Sequence, residues 1–85
     1  MRNYFVFWTY EAEAMLTDIY STTSASEPVA DAVYEFELDL SNNPFEVGES
    51  RESPFLRVAF RPPIGIAFEV SEIVSEVVVQ AVWLI

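Results

Sequence analysis

The 85 residues carry fourteen Asp and Glu against four Arg, with no Lys, His or Cys, for a formal net charge of −10. That length makes one domain, residues 1–85, which buries about 60–65% of its unfolded surface, and 52% apolar with 15% aromatic content argues against disorder. The missing residue types exclude disulfides, thiol catalysis, Cys/His zinc sites and an imidazole proton shuttle, while the acidity excludes a general nucleic-acid binder that works through a basic patch.

The chain has no uninterrupted apolar run of about 18 residues, so no membrane span is expected. The start, MRNYFVFW, is too short and lacks the cleavage pattern of a signal peptide. A cytoplasmic protein is expected.

Residues 3–8, NYFVFW, are almost all aromatic or β-branched and predict a first strand. Both of its faces are apolar, which predicts cover on both sides. Thr9 is placed to cap a helix over residues 10–21, with Glu11 in the first turn where the helix dipole favours a negative charge. Ala12, Met15, Leu16, Ile19 and Tyr20 recur at helical spacing and are expected in the core. Glu11, Glu13, Thr17 and Asp18 take the wet side.

STTSAS is a polar turn, and Ser26 is placed to cap a second helix over 27–41. Val29, Val33, Phe36 and Leu40 form its apolar stripe, with Ala30 and Leu38 beside it. Asp31, Glu35 and Asp39 stack at i, i+4, i+8. Nothing converges with that row to hold calcium or magnesium, so no metal and no cofactor are expected. It reads as a solvated face, with docking of a basic partner as the alternative. Asn42-Asn43-Pro44 stops the helix. Residues 41–54 predict a long loop, with Phe45 and Val47 tucked against the domain.

The stretch 55–70, FLRVAFRPPIGIAFEV, predicts two strands joined at Pro62-Pro63. Leu56, Val58 and Phe60 alternate with Arg57, Ala59 and Arg61. Ile64, Ile66, Phe68 and Val70 alternate with Gly65, Ala67 and Glu69. The two apolar sets are expected to share the face that helices cover, leaving Arg57 and Arg61 on an open face. A turn over 71–76 leads to a last strand over 77–85, apolar on both faces and therefore central; the pattern does not decide which face carries Trp83. The order β-α-α-β-β-β predicts an α+β domain, a helical hairpin on one face of a mostly antiparallel four-stranded sheet.

Trp8, Ala12, Ala14, Leu16, Asp18, Ile19 and Tyr20, then Phe36, Leu40, Asn42-Asn43-Pro44 and Gly48, then L-R-V-x-F-x-P-P-I-x-I-x-F-E-V over 56–70 and V-V-V-x-x-V-W over 77–83, follow one another in an order and spacing that resemble the RelE/ParE toxin superfamily. The resemblance covers nearly the whole chain and implies the same element order. It implies a toxin-like protein of a toxin–antitoxin system. It also implies, for ribonuclease members, Arg, Lys, His or Tyr groups on the open sheet face and after the last strand. On that basis Arg57, Arg61 and Arg51 are the candidate catalytic groups. Here the end of the chain, Val82-Trp83-Leu84-Ile85, is apolar instead.

Glu49, Glu52 or Glu69 is placed to serve as a base near the arginines, or to neutralise them. Tyr4, Tyr10, Tyr20 and Tyr34 could stand in for histidine, although all four precede the hairpin. The favoured reading is therefore action by protein–protein binding without efficient ribonuclease activity. Trp83, Leu84, Ile85, Arg57 and Arg61 then form the partner surface, for an antitoxin or a second copy in a homodimer. DNA gyrase or the ribosome is the expected target if the chain is toxic. Direct nucleic-acid binding is not expected. The alternatives are an mRNA endoribonuclease using Arg57 and Arg61, and a non-toxic diverged remnant.

Overall fold

Thr9 opens the first helix as its position predicts: its hydroxyl accepts the Ala12 N–H at 3.0 Å, satisfying one of the amides a helix start leaves unpaired. In the computed structural model, which describes residues 3–85, the chain runs β1 (Phe5–Trp8), α1 (Tyr10–Thr22), α2 (Ser26–Asn42), a 3-10 turn (Pro44–Glu46), β2 (Glu49–Arg51), β3 (Ser53–Arg61), β4 (Ile64–Ser71) and β5 (Glu76–Leu84). The sheet order is β1-β5-β4-β3-β2. β1 lies parallel to β5, and the other neighbours are antiparallel.

The α+β architecture is the expected one, with five strands in place of four. The extra strand, β2, falls inside the expected 41–54 loop. Its sequence Glu-Ser-Arg has no strand preference of its own; pairing with β3 makes it a strand. Two contacts hold it there. Gly48 turns the chain at φ +67°, and a Cβ at that position would press on the Val58 carbonyl and stand 2.7 Å from the Ala59 Cβ. Arg57 donates from Nε to the Val47 carbonyl at 3.0 Å and from Nη2 to the Gly48 carbonyl at 2.9 Å. Phe45 and Val47 pack on the core, as expected. Gly48→Ala combines a left-handed backbone with a clash against β3. We expect it to lower the unfolding free energy by about 1–3 kcal/mol, read as a lower urea midpoint.

Helix cover lies on one face. Ile64, Ile66, Phe68 and Val70 of β4 and Val77, Val79 and Val82 of β5 are buried there beneath Ala12 and Ile19 of α1 and Val29, Ala32, Phe36 and Leu40 of α2. Each Val, Leu, Ile or Phe among them contributes about 1.5–3 kcal/mol on burial. The helix stripes are narrower than expected. Met15 and Tyr20 of α1 and Ala30 and Leu38 of α2 are exposed, because a two-helix layer on a sheet buries one seam and leaves its flanks wet. Ser26 is the first residue of α2 instead of its cap, and Ala25 precedes it without a side-chain hydrogen bond.

The main correction concerns β3. Arg61 pairs with Ile64, Ala59 with Ile66 and Arg57 with Phe68. Directly paired residues point to the same side of a sheet, so Arg57, Ala59 and Arg61 lie on the helix-covered face. Leu56, Val58 and Phe60 lie on the open one. Ala59 is buried and Phe60 is 58% exposed, as that assignment requires. β1 departs from expectation too. As an edge strand it packs Val6 and Trp8 toward the helices and leaves Phe5 and Phe7 uncovered. The Trp8 indole donates to Glu37 of α2 at 3.0 Å. β5 is internal, as its composition predicts.

Candidate partner-binding face

The three arginines with candidate roles end in three different places. Arg61 reaches from the end of β3 to α2. Its Nη1 donates to Glu35 at 2.9 Å and its Nη2 to Asp39 at 2.6 Å, and the guanidinium lies 5.4 Å from the centroid of the Phe36 ring. Glu35 and Asp39 sit one helical turn apart, where two carboxylates repel; the fork of one guanidinium answers both. Two members of the acidic row on α2 are thus engaged within the chain. Arg57 is occupied by the loop carbonyls, not by Glu49, Glu52 or Glu69. Arg51 is exposed, donates to the Ser50 carbonyl at 3.3 Å and lies 3.9 Å from Glu49.

A hollow of about 330 Å³ beside Arg61 is walled by Phe36, Asp39, Glu46 and Ala59, among others. Two carboxylates stand against the one cation there, and that cation is already paired. The balance disfavours a phosphate. Of the tyrosines, Tyr4 is buried, and Tyr10, Tyr20 and Tyr34 are exposed on the helices.

The open face has a different character. Phe5 and Phe7 of β1 stand beside Glu76 and Val78 of β5. Across β4 follow Glu69, Ala67 and Gly65, and on β3 Leu56, Val58 and Phe60. A β-bulge opposite Ala67 and Phe68 sets Gln80 outside the alternation, so Trp83 points to this open face. Trp83 meets Phe60 edge-on, with centroids 6.1 Å apart and planes at 76°, and Gly65 lies beneath the pair. The register sets the chain's end aside from this patch: Leu84 follows Ile64 to the other side, and Ile85 donates its N–H to the Pro63 carbonyl at 2.9 Å. The expected surface of Trp83, Leu84 and Ile85 is therefore split, and Trp83 alone joins the open face.

No protein-family model matches the sequence, and no curated protein matches it. Solved structures match its fold, among them chains of two toxin–antitoxin systems. The toxin–antitoxin complex RelBE2 from Mycobacterium tuberculosis aligns with a TM-score of 0.76 and 26% identity, over 98% of this chain and 99% of that one. The chromosomal ParDE system from P. aeruginosa aligns with a TM-score of 0.64 and 16% identity, over 96% of each chain. The chain has a RelE/ParE-like toxin fold.

Within this RelE/ParE-like fold, the open face that the resemblance would furnish with cations carries aromatic and aliphatic side chains. Glu49, Glu69 and Glu76 punctuate it, and neither Arg57 nor Arg61 projects from it. Phe5, Phe7, Leu56, Val58, Phe60 and Val78 are the members sequence reasoning missed. The two-residue connection between β3 and β4 was the signal that could have found those on β3. No helix among the described residues is long and apolar enough to cross a membrane.

Proposed function

We propose that this chain is the toxin-like member of a toxin–antitoxin pair and acts by protein–protein binding, without efficient ribonuclease activity. One observation carries the reading: Arg57 and Arg61 are held by the protein's own oxygens on the helix side, while the open face offers apolar area. RNA cleavage needs donors and a titratable group converging on one phosphate and its 2′-hydroxyl, and these arginines diverge. An exposed, contiguous apolar patch is what a protein partner requires. Likeness to the RelBE2 complex makes an antitoxin the first partner to seek, and action in the cytoplasm follows from the same reading.

The test is induced expression, alone and together with the product of the adjacent gene. Growth arrest with intact mRNA, relieved by a co-purifying neighbour, is the expected result. Supercoiling and translation assays then separate DNA gyrase from the ribosome as the target. Cleaved mRNA in arrested cells, with cleavage lost in Arg57→Ala or Arg61→Ala, would establish the ribonuclease alternative. Unimpeded growth and no captured neighbour would leave a non-toxic remnant.

A further inference from the structure

Charge decides what fits the open face. Where β3 begins and the β4–β5 turn closes, a cleft of about 640 Å³ is lined by Phe55, Ile73 and Val78 together with Glu69, Glu72 and Glu76. It joins the open face through Glu69, Glu76 and Val78, which belong to both. Ile73, at the tip of the turn, is 96% exposed. Among the described residues no cation pairs with any of the three glutamates; Glu69 accepts one neutral hydrogen bond, from Gln80 at 3.3 Å. An apolar floor therefore ends in carboxylates that no cation of the described residues neutralises.

A second copy of this chain does not suit that surface. A twofold contact sets each patch against itself. It would bring the glutamates of two chains, each at −10, into one interface, with Arg57 and Arg61 turned to the other face of the sheet. Juxtaposed like charges cost several kcal/mol.

We infer that the open face and its acidic cleft receive a cationic amphipathic segment of a protein partner, its apolar side on Leu56, Val58, Phe60 and Trp83 and its Lys or Arg side chains at Glu69, Glu72 and Glu76. The inference rests on the partner-binding reading above and adds the chemistry of the partner. Aliphatic stems of Lys and Arg cover apolar surface while their heads reach carboxylates, which is the combination this cleft presents. A neutral segment laid over the cleft would desolvate Glu69, Glu72 and Glu76 without a counter-charge, which is costly, so the three glutamates also select against neutral segments.

The experiment titrates the full chain into a labelled synthetic peptide of leucine and lysine at helical spacing, and into the same peptide with glutamate in place of lysine. Binding of the first and not the second is expected, weakening as salt rises because screening reaches to about 8 Å at physiological ionic strength. Glu69→Gln with Glu76→Gln should weaken binding about tenfold. Glu11→Gln with Asp18→Asn, which removes two charges from the outer side of α1, should leave it unchanged. Phe60→Asp should abolish it, with urea unfolding confirming that each variant folds. Equal weakening by both charge-removing pairs would reduce the effect to bulk attraction and overturn the inference. So would equal affinity for the glutamate peptide, or a dimer that Phe60→Asp dissociates. Peptide binding without growth arrest or a captured neighbour would sink the toxin-like reading alone. A captured neighbour whose affinity ignores Phe60→Asp would sink the inference alone.

Discussion

Phe36→Ala should lower the unfolding free energy by about 3–5 kcal/mol, against about 4–13 kcal/mol in total for a chain of this length. Phe36 is 1% exposed and fills the space between α2 and the sheet, so its removal leaves a cavity that the rigid strands cannot close. Arg61→Ala should do far less, about 1 kcal/mol. The Arg61 side chain is 37% exposed and its partners Glu35 and Asp39 are 53% and 46% exposed. Water can therefore take up the two carboxylates once the cation is gone. The buried Arg61 Nε, which has no acceptor among the described residues, further offsets what the two ion pairs contribute. The guanidinium also lies over the Phe36 ring, so the two substitutions should couple by about 0.5–1 kcal/mol in a double-mutant cycle. Urea unfolding of the four proteins measures all three quantities. An Arg61→Ala loss as large as the Phe36→Ala loss would mean that the ion cluster, not the apolar seam, holds α2 to the sheet.

That ordering of effects also explains which parts of the fold could be read from residues alone. The helices declare themselves through Thr9 and through Ala12, Ile19, Val29, Phe36 and Leu40, because a 3.6-residue period and a capping hydroxyl are local properties. The orientation of β3 is not local. Taken by itself, Leu56-Val58-Phe60 is the more apolar set and suggests burial. Yet a two-residue connection pairs Arg61 with Ile64, and the strongly apolar set of β4 then carries Arg57, Ala59 and Arg61 to its own side. Parity across the turn outweighs the hydrophobicity of one strand. It places two candidate catalytic groups where α2 and the 44–48 segment engage them. The bulge at Gln80 is harder still: nothing in VVVQAVW marks an extra residue, although it decides that Trp83 shares a face with Phe60. β2 has no pattern of its own, and its pairing depends on Gly48 and on the Arg57 hydrogen bonds. The open patch was hidden for the same reasons, since it is assembled by register from β1, β3, β4 and β5.

Gly65→Val should change the shape of that patch while leaving the fold standing. Gly65 lies between Phe60 and Trp83 in the sheet, paired with both. A Cβ built there falls 2.9 Å from the Phe60 Cδ1 and 2.9 Å from the Trp83 Cε2 and Cζ2. Those separations are too short to keep, so one or both rings must swing outward. Phe60 and Trp83 border solvent, which gives them room to move, and the stability loss should stay near 1 kcal/mol, the lower end of the range for overpacking. Loss of the edge-on pair removes about 0.5–1.5 kcal/mol of that arrangement and should appear as a changed near-UV circular dichroism spectrum with an unchanged far-UV one. Partner affinity should fall about tenfold or more, since aromatic anchors at the centre of a patch carry a disproportionate share of binding energy. Gly65→Ala should give a smaller change of the same sign. If the near-UV signal shifts while the affinity for a captured partner stays constant, then the partner does not sit on Phe60 and Trp83. The apolar face would have to be engaged elsewhere, at Phe5 and Phe7 on the far side of β5, where Phe7→Asp would abolish binding that Gly65→Val had spared.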